Sequence, residues 1–452
     1  MSNRTDIKPF DLPVRVELSH LQLIQGFYFL NDVLFSGLAY DHREQKLHKV
    51  YQMTEGKITG EQAFGFYQHS SGVKIDFAVI EDDVDYEFDD PVYYQGELLN
   101  GVTYEYYDGF VCVESLWIDG YEVEWINWYV DGSGLVREYQ ANYEESRSVF
   151  KWDYKRLISV DCTKGDINNR SSFCISVNEQ NQINSFVLDT KDTASFEKLV
   201  QYDDLPLPAN SLSGLLAYYP LAEEVSLNIF SDENFKYFAA RTNFQPVKRL
   251  RIVTEHLSLA LLTKSMDLPQ LTWLFFDEYG ISDYSLESLP EDERLIKQKE
   301  CDTRNHALIT LLLAIQAKYH CEIQLNANSG IMFRYIDTQG ELMMDVNQHD
   351  FSYLLDLLPN DKIVDLRLRQ CKYPIVLLEK LSRLTHLKKI SIREGVSRFD
   401  GDNPSEAELA LRSNARNQAL WGLLKNLQLK LHCDIELISE TSEVFKEDYQ
   451  GE

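Results

Sequence analysis

Between Ile75 and Val136 the chain has no lysine, arginine or histidine. Over the whole length 72 acidic residues stand against 44 Lys and Arg, a formal charge of −28. That balance excludes a sequence-independent hold on nucleic-acid phosphates and favours a basic partner. Cysteine is scarce: seven in 452 residues, an odd number with no CxxC spacing. A disulfide framework and a zinc ribbon are thereby excluded, and buried reduced thiols are expected. No run of about 18 apolar residues occurs. The opening MSNRTDIKPFDLPVRVELSH places charges and proline where a secretory leader needs an apolar core. A soluble, cytoplasmic protein is expected. GxSxG, HExxH and kinase signatures are missing, and DGSG (131–134) and NSG (328–330) lack the lysine and glycine order of a phosphate loop. The chain therefore reads as a non-enzyme with no cofactor and no metal.

What is present is acid mixed with aromatics. The segment from Ile75 to Val136 carries 16 acidic residues and 14 aromatics over 62 positions. Acidic runs are usually solvated and disordered, because they bury too little apolar area to offset chain entropy. Here DYEF, VTYEYY and YEVEWINWYV mix β-branched, aromatic and acidic residues as half-buried strands do. An antiparallel sheet with an acidic face follows. In YEVEWINWYV the pleat sends Glu122, Glu124, Ile126 and Trp128 one way and Tyr121, Val123, Trp125, Asn127 and Tyr129 the other. The partner-binding surface is expected at Glu81, Asp82, Asp83, Asp85, Glu87, Asp89, Asp90, Glu122 and Glu124, with Trp117 and Trp128 as aromatic anchors. Calcium is the other use for EDDVDYEFDD, but calcium loops bend around a central glycine and none is present.

The first ~200 residues read as all-β, with aromatic runs parted by turns roughly 8 to 12 residues apart. In YYQGELLNGVTYEYYDG (Tyr93 to Gly109) the Asn100-Gly101 pair reads as a tight hairpin turn. Weaker echoes lie at Asp32 to His42, Glu55 to Tyr67 and Trp128 to Tyr139. QYDDLPLPANS (201–211) reads as a linker. Beyond it IVDLRLRQC (Ile363 to Cys371) fits LxxLxLxxC, and a step of 24 residues joins Leu366 to Ile390 and Leu250 to Leu274. Arg304 to Leu325 aligns without gaps on Arg416 to Leu437, with 12 of 22 residues identical. Leu212 to Ile229 similarly matches Phe351 to Leu368 as helix, proline, strand. The repeated His320-Cys321 and His432-Cys433 could be metal ligands or a nucleophile with its base. Placed where a helix ends and a strand begins in both copies, they read instead as a duplicated structural junction.

The hairpin units resemble MORN-type repeats and the related repeats of bacterial antitoxin-like proteins, and the second half resembles leucine-rich repeats. The expected fold is α+β: residues 1–200 a β-rich hairpin-repeat domain, and residues 212–452 a helix-strand solenoid with halves at about 212–325 and 351–437. The resemblance implies an immunity protein that binds a cognate secreted bacterial toxin and occludes its active site. The toxin is expected to be basic, such as a nuclease, with no nucleic acid or membrane among the partners. The alternative is a scaffold or adaptor using the leucine-rich surface.

Overall fold

The computed structural model describes residues 14–43, 46–62, 72–79, 91–131, 133, 135–143, 146–165, 171–190, 205, 207–209, 211–255, 257–261, 267–278, 289–327, 331–336, 339–346, 348–358, 361–371, 373–394, 406–439 and 444–450. Chain contacts divide it into two compact units, Met1–Pro220 and Leu221–Glu452.

Unit one is β1 (Arg15–Glu17), β2 (Gln22–Ile24), β3 (Phe27–Leu30), β4 (Val33–Leu34), β5 (Gly37–Arg43), β6 (Lys46–Thr54), β7 (Lys57–Gln62), β8 (Val73–Asp76), β9 (Tyr93–Tyr94) and β10 (Glu97–Leu98). There follow β11 (Gly101–Tyr107), β12 (Phe110–Ile118), β13 (Tyr121–Trp128), β14 (Val136–Tyr143), β15 (Ser146–Asp153), β16 (Arg156–Lys164), β17 (Ser171–Val177), β18 (Ile183–Asp189) and the short helix α1 (Leu212–Tyr218). β1 pairs with β5, β5 with β6, β6 with β8, β8 with β11, β11 with β12, and β12 with β1. Six strands thus close a ring, and β12 leads out of it into an antiparallel meander that runs to β18.

The ring is a duplication, with an offset of 64 residues from β3–β7 onto β9–β13 and of 59 from β1 onto β8. Tyr28 and Phe35 trade backbone hydrogen bonds with Gly56, and Val92 and Leu99 repeat the same three bonds with Gly120. Ser36 accepts from the Glu55 N–H, and Asn100 from that of Asp119. Each copy has its own small core: Val16, Phe35 and Met53 in one, Ile75, Leu99 and Trp117 in the other. The ring closes at two equivalent seams, Lys46 against Ile75 and Phe110 against Val16. Gly37 and Gly101 occupy one position of the repeat, where an added Cβ would fall 2.3 Å from the Val14 carbonyl oxygen and 2.0 Å from that of Val73. Only glycine permits that approach. Asn100-Gly101 is therefore not a hairpin turn; that turn is Gln95-Gly96, between β9 and β10.

Unit two is β19 (Leu221–Ile229), α2 (Asp232–Ala239), β20 (Arg249–Thr254), β21 (Trp273–Glu278), α3 (Glu291–Tyr319), β22 (Glu322–Ala327), β23 (Ile331–Ile336) and β24 (Glu341–Asp345). It continues with α4 (Gln348–Leu357), β25 (Asp365–Cys371), α5 (Ile375–Leu378), β26 (Lys389–Glu394), α6 (Glu406–Leu431), β27 (Asp434–Ile438) and β28 (Val444–Glu447). β19 to β22 are parallel, β23 is antiparallel to both neighbours, β24 to β27 are parallel again, and β28 is antiparallel to β27. Leu227, Ile252, Phe276, Leu325, Leu368 and Ile392 alternate inward and are buried. Helix faces carrying Phe235, Leu308, Leu354 and Leu424 supply the other side of this core.

The expected fold class is wrong. Of the described residues 48% are strand and 26% helix, and 23 of the 28 described strands belong to one mixed sheet, not to a hairpin-repeat domain followed by a leucine-rich-repeat-like solenoid. Two physical reasons stand out. The LxxLxLxxC pattern reports inward alternation in a parallel strand, which any parallel sheet covered on one face requires. Here antiparallel β23 interrupts the parallel order, and the helices range from 4 to 29 residues, so no uniform repeat stacks. In unit one the hairpin echoes at Asp32 to His42 and Tyr93 to Gly109 are equivalent positions of the 64-residue duplication, facing each other across a ring. Among the described residues no helix is long and apolar enough to cross a membrane.

Candidate functional site

Two places in unit one concentrate chemistry. The first is the ring interior. β5 and β11 are not neighbours, yet the Tyr40 and Tyr104 rings meet edge to face at 5.5 Å, so these equivalent tyrosines touch across the enclosed space. One step along each strand, the Tyr106 hydroxyl lies 2.7 Å from His42 Nε2. Arg15 and Glu114 are both buried, and Arg15 also lies 4.4 Å from the centre of the Trp128 ring. Burial pushes Tyr40 and Tyr104 up, Glu114 adds to the rise, and Arg15 opposes it. Burial lowers His42 against the opposing pull of Glu17, Asp76 and Asp41. Lys74 is lowered by burial, with Glu114 pulling the other way. Tyr40, Tyr104 and Glu114 are buried, while His42 and Tyr106 are half-buried.

The second is the surface of β9 to β13 and the turns between them. Glu97, Asp108, Asp119, Glu122 and Asp131 are exposed, and none of these five is in an ion pair among the described residues. Exposed Tyr93, Tyr107 and Tyr121 are interleaved with them. The turns Asp108-Gly109 and Asp119-Gly120, at opposite ends of β12, hold both residues at positive φ, the tight geometry that suits the twist of flanking strands. Desolvation raises the carboxyls of Glu122 and Glu124, while hydrogen bonds from Ser115 and Tyr139 respectively oppose the rise. The Tyr143 hydroxyl donates to Glu124.

The residues expected from sequence scatter. Glu122 is on this surface, and Glu124 is half-buried beside it. Glu81, Asp82, Asp83, Asp85, Glu87, Asp89 and Asp90 lie outside the described residues. Trp117 (5% exposed) and Trp128 (2%) are core residues, with Trp117 Nε1 donating to Thr103 Oγ1 at 2.9 Å. They cannot anchor a partner. Sequence reasoning missed Arg15, Tyr40, His42, Tyr104 and Tyr106. The signal for the tyrosines was GLAY against GVTY, each Tyr three residues after the crossing glycine.

In unit two the duplicated His320 and His432 are left-handed C-caps, each backbone N–H bonding the carbonyl four residues back. Cys321 and Cys433 behind them are buried, and desolvation pushes both thiols up to about 11. Among the described residues no group of three or more His, Cys, Asp or Glu is placed to hold a metal ion.

No family model and no curated protein matches the chain. Three solved structures show weak likeness. The Glycosylation Associate Protein (Gap123) complex from Streptococcus agalactiae is similar at 10% identity and TM-score 0.13, over 77% of this chain and 61% of that one. Accessory secretory protein 1, 2 and 3 of Streptococcus pneumoniae is similar at 7% identity and TM-score 0.14, over 81% and 65%. TarM is similar at 10% identity and TM-score 0.12, over 67% and 55%. This chain thus spans less than two thirds of each neighbour's length. Scores of this size carry no argument about fold or function.

Proposed function

We propose that the chain acts by binding another protein, and that the acidic, tyrosine-bearing surface of β9 to β13 takes a basic partner. One observation carries this reading: five exposed carboxylates with no ion pair among the described residues, interleaved in sequence with exposed tyrosines, in a segment that has no basic residue of its own. Such like charges repel one another, and a basic partner relieves the repulsion while being steered to the surface. Tyrosine supplies contact area at low entropic cost. In the narrower form the chain is a cytoplasmic immunity protein, and the partner is a secreted bacterial toxin domain whose basic active-site cleft it occludes. Charge complementarity supports that form; the hairpin-repeat resemblance no longer does, since the strands close a duplicated ring. The test is affinity capture from the native host with the wild-type chain and with a variant carrying Asp108→Lys, Asp119→Lys, Glu122→Lys and Asp131→Lys. The reading expects a basic protein recovered by the first and lost from the second. A partner retained equally by both would end it.

A further inference from the structure

The duplication in unit one makes two equivalent ends. Gly56, in the turn after β6, bonds Tyr28 and Phe35 at the base of the β3–β4 hairpin, and Gly120, in the turn after β12, bonds Val92 and Leu99 at the base of the β9–β10 hairpin. Hairpin and turn therefore belong to one end in each copy. Both ends show apolar side chains to solvent. In the second copy these are two cross-strand pairs, Tyr93 (45% exposed) opposite Leu98 (40%), and Ile118 (45%) opposite Tyr121 (49%). Their chain neighbours Val92, Leu99 and Trp117 point the other way and close the small core beneath.

The two ends have diverged in charge. Tyr93, Glu97, Tyr121 and Glu122 stand where the first copy has Phe29, Val33, Lys57 and Ile58. Across the whole end, Asp32, Glu55 and Lys57 give way to Glu97, Asp119 and Glu122, so two acids and a base become three acids. In the first copy the Lys57 ammonium lies 4.9 Å from the centre of the Phe27 ring, and that end carries its own cation over its own aromatic. In the second, Pro91 replaces the phenylalanine and Tyr121 the lysine, and none of the three carboxylates is in an ion pair among the described residues. The turn at the opposite end of β12 is different again. There the His20 ring packs on Asp108-Gly109, so close that a Cβ added to Gly109 would fall 2.2 Å from it.

We propose that the end built from β9, β10 and the β12–β13 turn seats the basic partner, and that the partner supplies from outside the cation that Lys57 supplies in the first copy. The segment it brings carries a lysine or arginine next to an aliphatic side chain, the cation meeting Tyr121 and the carboxylates, the aliphatic group resting on Tyr93 and Leu98. This rests on the binding function proposed above and narrows it to one end of that surface. The exposed apolar pairs give such a contact its buried centre, and Glu97, Asp119 and Glu122 give it the complementary charge. Tyrosine serves both needs, with apolar area and a ring face for the cation.

The probes are short synthetic peptides that alternate Lys with Leu, Lys with Ser, or Glu with Leu, each labelled and titrated with the full chain at physiological salt. The Lys-Leu peptide should bind saturably, the Lys-Ser peptide about tenfold more weakly for want of the aliphatic group, and the Glu-Leu peptide not at all. Tyr121→Lys, which installs the first copy's cation, and Glu97→Lys should each weaken the Lys-Leu peptide about tenfold, whereas Asp108→Lys should change it by less than about twofold. Glu97→Lys and Asp108→Lys alter the net charge equally, so a difference between them reports place. All three side chains are exposed, and an unchanged melting curve shows that each variant keeps its fold. If Asp108→Lys weakens binding as much as Glu97→Lys, or if the Lys-Ser peptide binds as tightly as Lys-Leu, the inference falls and the basic-partner reading stands. If neither lysine peptide binds saturably, or none of the three changes matters, both fall. A chain that sediments as a dimer and becomes monomeric on Glu97→Lys would make a second copy the occupant and overturn the inference too.

Discussion

Replacing Arg304 by alanine takes a guanidinium from Glu278, whose side chain is 1% exposed and which Arg304 meets at 2.5 to 3.2 Å through Nε and Nη2. The Leu257 carbonyl loses its 2.6 Å donor in the same change. Breaking one side of a buried pair costs about 3–5 kcal/mol, because the remaining charge stays in a poor dielectric. For a cooperative unit of this size each kcal/mol moves the melting midpoint by about 2–4 °C, so a drop of about 6–20 °C is expected. Replacing the pair together, Arg304→Met with Glu278→Leu, should return stability to within about 1 kcal/mol of wild type, since no charge is then left buried. Melting followed by far-ultraviolet circular dichroism reads both variants. Arg416→Ala removes the equivalent bond to Glu394, whose side chain is 4% exposed, and should cost a similar amount. The two sites share no partner, so their costs should add. A midpoint change below about 2 °C for Arg304→Ala, on the same conversion, or a double replacement as damaging as the single, would refute the reasoning.

Trp117→Ala should cost about 3–5 kcal/mol in urea unfolding, because it empties a core site and leaves Thr103 without its indole donor; a neutral result would return Trp117 to the surface. His42 is held below its ordinary value by burial, so its favourable contribution is complete above the unfolded value of about 6.5 and is lost as pH falls from there through the lower folded value. The stability gap between wild type and His42→Gln should therefore be constant well above that unfolded value of about 6.5 and shrink as pH falls below it; a constant gap throughout would contradict the assignment. Cys321 and Cys433, pushed up to about 11 by burial, should resist a thiol reagent in the native protein at about pH 8, where even a free thiol is only partly ionised, and react on unfolding.

Some of this was legible in the residues. The 22-residue match beginning at Arg304 and Arg416 preserved helix face, cap and strand start together, because an Arg anchoring a helix to a buried Glu tolerates little change. Leu366 and Leu368 lie in register with Ile390 and Ile392, as the step of 24 implies. The 64-residue duplication was nearly silent: from residues 28–56 to 92–120 only Leu34, Gly37, Tyr40 and Gly56 are retained, at Leu98, Gly101, Tyr104 and Gly120. Strand positions accept most side chains of the right polarity, so besides one leucine the crossing glycine, the turn glycine and the facing tyrosines persist. The acidic run misled for a related reason. Glu114 looked like one more surface carboxylate, yet it is buried, and the charges acting with it, Arg15 and Lys74, lie outside the basic-free segment. Linear charge density says nothing about partners that the topology brings in from elsewhere. Trp128 does share the pleat face of Glu122, but that face passes from exposed at Glu122 to fully buried at Ile126, so its Trp128 end belongs to the core.

The central claim is that the exposed acids of β9 to β13 receive a basic protein, and an association rate tests it most directly. With the captured partner in hand, the rate is measured at low and at physiological salt for wild type and for the variant with Asp108, Asp119, Glu122 and Asp131 all changed to Lys. Steered association falls with ionic strength. The wild-type rate should therefore drop at higher salt, and the variant should associate more slowly at low salt with a weaker salt dependence. Equal rates and equal salt dependence for the two proteins would contradict the claim.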